Sequence, residues 1–192
     1  MKMRRFTLAL VVAAALGACS KDNHMINEDL AEEDAAVAAT ATNSTATVWQ
    51  AGYSWTRTDS AGFMLYHHDE PLGALDAAVL NGGSILVFAK NIPADSMRIP
   101  KAKKLPFYLY PSPGRPAYHH AWYYEASNGS LRIKFRSNKH QYSQEAVPVP
   151  DGAVQFRYFM FTGDDLERLG HTPVSIARLT YGEVLQLTGA AE

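Results

Sequence analysis

Two pairs of adjacent histidines, His67-His68 and His119-His120, are the plainest candidates for metal chemistry in this sequence of 192 residues. Imidazole nitrogens are common ligands of zinc and other transition metals, which usually take three or more protein ligands. Both pairs lie on predicted strands, where adjacent side chains point to opposite faces, so at most one histidine of each pair can join a shared site. No spacing supplies a third ligand, and we therefore expect surface and cross-strand histidines and no cofactor.

Acidic residues offer a second kind of chemistry, because two carboxyl groups about 5 to 10 Å apart in one cleft can hydrolyse a glycosidic bond. Asp69, Glu70 and Glu125 are the dispersed candidates, whereas Asp164-Asp165 is explained by a solvated loop or a helix start. The sequence contains no Gly-x-Ser-x-Gly, His-Glu-x-x-His or phosphate-binding glycine pattern. These observations favour a domain without catalysis, and a carboxylate hydrolase remains an alternative.

The only cysteine, Cys19, follows an N-terminal segment typical of exported proteins. Lys2, Arg4 and Arg5 give this segment a positive start, and residues 6–16 are almost entirely apolar, which is the pattern of a secretory signal peptide. A membrane-spanning helix needs about 20 apolar residues, so the run is too short for a permanent transmembrane anchor. We therefore expect residues 1–18 to be a signal peptide that is removed. A single cysteine also excludes an internal disulfide.

The residues before the cysteine, Leu16-Gly17-Ala18-Cys19, resemble the lipobox of bacterial lipoproteins. The resemblance implies that the Cys19 thiol takes a diacylglyceryl group and that the mature chain carries fatty acyl chains such as palmitate. Two or three chains give lasting membrane attachment, since each buried methylene contributes about 0.8 kcal/mol. Ser20, in place of an aspartate, resembles lipoproteins sorted to the outer membrane, with the periplasmic or surface face left open. The alternative is an ordinary cleaved signal with a chance cysteine nearby.

Composition divides the mature chain into a tether and one domain. Residues 19–47 are polar, acidic and rich in Ala and Thr, with no aromatic residue, which predicts a lipidated disordered tether before a β-rich globular domain over residues 48–192. Of the 18 basic residues, 15 remain after the signal peptide against 19 acidic ones, a formal net charge of −4. A nucleic-acid partner is therefore not expected. Ser60 and Ser96 lie in short motifs that resemble bacterial O-glycosylation sites.

The clearest local structure is a β-hairpin. Apolar and basic residues alternate over residues 131–136, which is the pattern of a half-buried strand with a solvated basic face. Asn128-Gly129 precedes this strand and is the pair best suited to a two-residue type I′ turn. A turn centred there fixes the register of the hairpin. It places Trp122 opposite Phe135 and Tyr124 opposite Ile133 on the core face, with Glu125 opposite Arg132 and Tyr123 opposite Lys134 outside.

The remaining elements predict an all-β fold, an antiparallel β-sandwich with two helices. Further strands are predicted at residues 48–55, 62–67, 84–90, 105–110 and 154–161. A short helix near residues 71–80 is expected to start near Pro71 and to stop at Asn81-Gly82. A C-terminal helix near residues 181–188 is indicated by a Thr180/Glu183 capping box and by Gly189 just past its end.

This order of elements resembles an uncharacterised family of bacterial β-rich domains, often found in lipoproteins or after collagen-like repeats. The resemblance covers about residues 46–188 and implies a fold more than an activity, and this chain has no collagen-like Gly repeat. It is carried by short motifs that include Trp49, Ile85-Leu86-Val87-Phe88, Leu105-Pro106, Phe156-Arg157-Tyr158 and Tyr181-Gly182-Glu183-Val184.

Three classes of function remain open. The first is a non-catalytic binding or structural module of the cell envelope, with an envelope protein as partner, and the composition favours it. The second is a glycan-binding surface protein or an accessory of a glycoside hydrolase, and the third is the hydrolase considered above. The proline-rich loop from Tyr110 to Tyr118 is the expected partner contact, through Arg115 and Tyr118. The aromatic residues that could stack on sugars are Trp49, Trp55, Tyr108, Tyr110, Tyr118 and Tyr123.

Overall fold

A computed structural model describes residues 45–94, 97–110, 119–141, 147 and 149–192. Within these residues the chain forms short antiparallel strands and a few short helices. The strands are β1 (Thr45–Ala46), β2 (Thr56–Ser60), β3 (Phe63–Pro71), β4 (Ser84–Lys90), β5 (Ile92–Ala94), β6 (Met97–Ile99), β7 (Lys103–Lys104), β8 (Phe107–Leu109), β9 (His120–Ser127), β10 (Ser130–Ser137) and β11 (Gln155–Phe161). The α-helices are α1 (Ala77–Leu80), α2 (Gly163–Arg168), α3 (Pro173–Ile176) and α4 (Tyr181–Thr188), and a 3-10 turn covers Lys139–Gln141.

Two larger sheets enclose the main core, which confirms the predicted all-β, antiparallel β-sandwich. One sheet has five strands in the order β2-β3-β10-β9-β8, and the other has four in the order β1-β11-β4-β7. Strands β5 and β6 form a separate pair. Apolar residues of both sheets form one buried cluster. Its members include Trp122, Leu131, Ile133 and Phe135 from the first sheet and Val87, Ala89, Phe156, Tyr158 and Met160 from the second.

The four-stranded sheet is covered on its other side by the C-terminal helices. Alternate residues of β4 and β11 point away from the main core. Leu86, Phe88, Phe159 and Phe161 form a second buried cluster with residues of α2, α3 and α4. The five-stranded sheet has no such helical cover within the described residues, and the side chains on its other face are half-buried or exposed, except for buried Ala121.

The predicted register of the β9–β10 hairpin is confirmed at all four residue pairs, including Trp122 with Phe135 and Tyr124 with Ile133. The predicted turn type is wrong. Only Gly129 of the two turn residues has a positive φ, at 73°, whereas a type I′ turn needs positive φ at both. A positive φ at the second central residue alone is the pattern of a type II turn, which also requires Gly there.

The two predicted helices are both present, but the first is shorter than expected. β3 continues through Pro71, which pairs with Ser130, so this proline ends a strand and does not start a helix. The first helix, α1, begins at Ala77 instead, because the Asp76 carboxylate accepts hydrogen bonds from the first free amides. The C-terminal helix, its capping box and its left-handed cap at Gly189 are confirmed.

Three predicted strands are corrected by the structure, and the strand at residues 84–90 is confirmed. Residues 48–55 form no strand and contribute only the isolated bridge of Gln50 to Phe156, and Gly52 within them has a φ of 82°. The strand predicted at 105–110 is reduced to β8, because Pro106 has no N–H to donate to a ladder. The strand predicted at 62–67 extends to Pro71. Thr45 and Ala46, assigned above to the end of the tether, pair with β11.

Candidate functional site

Several residues singled out from the sequence lie outside the described part of the chain. These are Cys19, Arg115, Tyr118 and Ser96. Ser60 is described, and it is exposed at the end of β2. The segment that contains Arg115 and Tyr118 connects Tyr110 to His119, and these two flanking residues are described.

The two members of each histidine pair lie on opposite faces of the five-stranded sheet, with His119 just before β9, and the inward members are held by local hydrogen bonds. The His68 ring nitrogens lie 3.0 Å from the Ser54 carbonyl oxygen and 3.1 Å from Glu70 Oε2. The buried His120 ring nitrogen Nδ1 lies 2.9 Å from Ser137 Oγ. Over the described ranges, no cluster of three or more His, Cys, Asp or Glu residues could hold a metal.

The three dispersed carboxylates are each paired with a cationic or ring-nitrogen partner. Asp69 accepts two hydrogen bonds from Arg132, at 2.5 and 2.9 Å, Glu70 lies beside His68, and Glu125 pairs with Lys134. The Arg132 hydrogen bonds lower the pKa of Asp69. A general acid needs the opposite shift, so Asp69 is unsuited to protonate a leaving group.

The five-stranded sheet has a side that points away from the main core, called here the outer face. Strand alternation defines it: the intervening residues of β9 and β10 contribute buried side chains to the core, and Tyr66 of β3 and Phe107 and Leu109 of β8 pack against that core. Its side chains are mostly aromatic, apolar or cationic. They include Phe63, Leu65, His67, Asp69, Tyr108, Tyr110, His119, Ala121, Tyr123, Glu125, Arg132, Lys134 and Arg136, and the edge strand β2 adds the exposed polar residues Thr56, Thr58 and Ser60.

Aromatic rings form a continuous row across one end of the outer face. The rings of Tyr108 and Tyr110 are close to parallel, with an interplanar angle of 19° and centroids 6.4 Å apart. These two residues are 47% and 72% exposed. The row continues from Tyr110 to His119 at 6.3 Å and from His119 to Phe63 at 5.9 Å.

Arg136 ends this row as a cation without an acidic partner in the described residues. Its guanidinium carbon lies 4.8 Å from the centre of the Phe63 ring, and its buried Nε donates no hydrogen bond within the described structure. Burial, and then the nearby Arg136 charge, lower the pKa of His119. Arg132 and Lys134 differ from Arg136, because their charges are balanced by Asp69 and Glu125.

A shallow pocket of about 300 Å³ continues the outer face beyond the row. Its lining combines the aromatic ring of Tyr123 and the apolar Leu65 with the cationic Arg132 and Lys134. The Lys134 ammonium lies 5.8 Å from the centre of the Tyr123 ring. The face therefore offers ring surfaces beside hydrogen-bond donors over several strands.

The aromatic residues proposed from the sequence divide into different environments. Tyr108, Tyr110 and Tyr123 lie on the outer face. Trp55 is half-buried and packs edge-on against the buried Trp122, at 5.8 Å, at the margin of the core. Sequence reasoning missed Phe63, His119 and Arg136 as neighbours of the tyrosines, because their proximity depends on pairing among the four strands β3, β10, β9 and β8.

The fold and this surface define a class: an antiparallel β-sandwich with a helical layer on one sheet and an aromatic, cationic face on the other. No family model, curated protein or solved structure matches the chain. Within the described residues, no helix is long and apolar enough to cross a membrane.

Proposed function

We propose that this chain is an exported lipoprotein, held at the bacterial outer membrane by lipid on Cys19, whose sandwich is a non-catalytic binding module of the cell envelope. The anchor is supported by the basic start at residues 2–5, the apolar run at 6–16 and the Leu16-Gly17-Ala18-Cys19 pattern. The binding role is supported by the outer face, where large rings are exposed beside hydrogen-bond donors.

The ligand class that this face fits best is a glycan. One observation carries the proposal: Tyr108 and Tyr110 present two exposed and nearly parallel rings in line with His119. The C–H groups of a sugar ring pack against flat aromatic surfaces, while its hydroxyl groups bond to polar side chains at the ring edges. Arg136 and the phenol groups supply such bonds at this end of the sheet.

The anchor is tested by replacing the cysteine. Full-length protein and the Cys19→Ser variant are expressed with radiolabelled palmitate and fractionated. We expect label and membrane attachment in the parent and neither in the variant. If the variant is processed and sediments with membranes as the parent does, the lipoprotein assignment is wrong.

The glycan role is tested separately, with the full-length protein in detergent on an array of bacterial envelope saccharides. The Tyr108→Ala/Tyr110→Ala double variant is expected to lose at least about tenfold in affinity, since buried aromatic contacts dominate such surfaces. Met97→Ala is the matched control, because Met97 is a 67% exposed apolar residue outside the outer face. Absence of saccharide binding, or equal binding by the double variant, would contradict a glycan-binding face.

A further inference from the structure

A second pocket lies on the helical side of the four-stranded sheet, away from the outer face. It has a volume of about 600 Å³, a size common for sites that bind small molecules. Trp49, Lys90 at the end of β4 and Tyr181 at the start of α4 form part of the lining. Pro100, Lys101 and Ala102 complete most of the remainder.

The Tyr181 hydroxyl is held by two donors. Trp49 Nε1 donates to it at 3.1 Å and Arg157 Nη1 donates to it at 2.7 Å. An indole N–H and a guanidinium can only donate, so they use both lone pairs of the phenol oxygen. The Tyr181 hydroxyl proton is therefore left for a third partner, and no such acceptor is found in the described residues. Because Tyr181 lines the pocket, a ligand acceptor there is the natural partner.

Arg157 adds a buried positive charge behind the tyrosine. It is only 4% exposed, and its other described hydrogen bond runs from Nε to the Thr47 carbonyl oxygen at 2.8 Å. Its guanidinium also stacks over Phe159, 5.0 Å from the ring centre. Among the described residues no carboxylate forms an ion pair with Arg157. A buried charge is costly without a counter-charge, so an anion near Tyr181 would be favoured.

Two lysines of the lining, Lys90 and Lys101, add positive charge, and Glu192 adds a single acidic side chain. Lys90 lies over the Trp49 ring, with its ammonium 4.3 Å from the ring centre, and Lys101 is exposed at the pocket. Glu192 is the acidic residue in the lining, and in the described structure it forms no ion pair with either lysine. The pocket thus combines donors and positive charge with the apolar surfaces of Trp49, Pro100 and Ala102.

We propose that this pocket binds a small organic acid. Its carboxylate accepts a hydrogen bond from the Tyr181 hydroxyl and faces Lys90 and Lys101, while its apolar body lies against Trp49. The site is separate from the outer face and does not depend on the glycan proposal. It also explains why three residues far apart in the sequence, Trp49, Arg157 and Tyr181, meet in one hydrogen-bonded group.

The test uses the full-length protein with phenylacetate, with its neutral isostere phenylacetamide, and with inorganic phosphate. We expect phenylacetate to raise the melting temperature and to change tryptophan fluorescence, with a weaker effect at high salt. Phenylacetamide should have no effect at the same concentration. If phenylacetate and phenylacetamide shift the melting temperature equally, the charge assignment is wrong. If phosphate binds as tightly as phenylacetate does, the organic-acid assignment is wrong. A failure of all three probes at millimolar concentration would overturn the site.

Variants locate the binding. Tyr181→Phe should weaken phenylacetate about tenfold or more, because it removes a hydrogen bond to a charged group. That variant also leaves two core donors without an acceptor, so Lys101→Met, at an exposed position, is the second test and should weaken binding severalfold. Lys103→Met, on a strand beside the pocket but outside its lining, is the matched control and should bind as the parent does. Unchanged binding by Lys101→Met with a normal melting temperature would contradict the proposal.

Discussion

The phenol oxygens of Tyr53 and Tyr158 lie 3.0 Å apart in the core of the sandwich. The Tyr53 hydroxyl donates a hydrogen bond to Gln50 Oε1 at 3.2 Å. The Tyr158 hydroxyl therefore donates the hydrogen bond between the two tyrosines, and Tyr53 accepts it. Burial raises the pKa of Tyr53 to about 12 and raises the pKa of Tyr158 further above its ordinary value. Both side chains therefore stay protonated in the folded protein at pH values where an unfolded chain ionises.

This pair predicts a loss of stability in alkali. Unfolded tyrosines release their protons near pH 10, while the folded pair keeps them, so the stability is complete below about pH 10 and falls as the pH rises toward 12. Each protonated tyrosine contributes a slope of up to about 1.4 kcal/mol per pH unit. Urea unfolding at a series of pH values measures this slope of the free energy of unfolding. In the Tyr158→Phe variant the free energy of unfolding should fall less steeply above pH 10 than in the parent. The Tyr110→Phe variant, changed at an exposed position, should show the same fall as the parent. Parallel curves for all three proteins would contradict this account.

The β2–β3 hairpin contains a strained alanine that can be relieved. Its two turn residues, Ala61 and Gly62, have φ angles of 47° and 79°, which is the type I′ pattern. An alanine in the left-handed region costs about 1 kcal/mol, whereas asparagine tolerates it better. Ala61→Asn should therefore raise the free energy of unfolding by about 0.5 to 1 kcal/mol. Ala51→Asn, at an exposed residue outside the positive-φ region, is the control. Equal effects of the two substitutions would rule out turn strain at Ala61.

Gly83 is required by a close approach of three backbone segments. A Cβ at this position would lie 2.6 Å from the Val79 carbonyl oxygen, 2.9 Å from the Val79 Cα and closer still to the Phe161 carbonyl oxygen. These are backbone atoms and cannot rotate away, so Gly83→Ala should destabilise the domain by about 3 kcal/mol. Thermal or urea unfolding provides the measurement.

The control for that substitution is Gly73→Ala. Gly73 has open space around its Cα and a φ outside the left-handed region. Its replacement should be close to neutral or slightly stabilising, because alanine restricts the unfolded chain. Similar unfolding midpoints for the Gly73 and Gly83 variants would contradict the steric argument.

The hairpins separate what the sequence could predict from what it could not. Alternation of apolar and polar residues determined the β9–β10 register, since a shift of one residue would bury Lys134 and expose Phe135. Turn geometry depends on finer backbone preferences. The Asn128-Gly129 pair was expected to be type I′ and is not, whereas Ala61-Gly62 adopts that conformation without the usual residues.

The two candidate sites likewise combine residues that the sequence identified with contacts between distant segments that it could not predict. Single residues such as Tyr108 and Tyr110 were recognised from their type, but their alignment with His119, Phe63 and Arg136 results from strand pairing between distant segments. Likewise Trp49, Arg157 and Tyr181 were noted only as parts of a pattern, and their shared hydrogen bonds depend on how α4 packs against β11. Local sequence patterns predict secondary-structure elements, whereas a binding site depends on tertiary contacts between elements that are distant in the sequence.

Lys104 connects the edge of the four-stranded sheet to the C-terminal helices. Its Nζ donates to the carbonyl oxygens of Ala177 and Leu179, at 2.5 and 2.8 Å, in the segment between α3 and α4. Burial lowers the pKa of Lys104, and the Glu183 charge opposes this shift. The lysine therefore satisfies two carbonyl groups at a point where the chain leaves one helix and enters the next.

Replacing Lys104 with methionine keeps the length of the side chain but removes the charged donor. We expect a loss of about 1.5 to 3 kcal/mol in the free energy of unfolding, together with faster amide hydrogen exchange in α4, because the two carbonyls lose a charge-assisted bond. Lys103→Met is the control, which tests whether removal of any lysine from β7 destabilises α4. Adjacent strand residues point to opposite faces, and the Lys103 ammonium lies 5.7 Å from the centre of the Phe107 ring. Equal exchange rates in α4 for both variants would show that Lys104 does not hold the helical layer on the sheet.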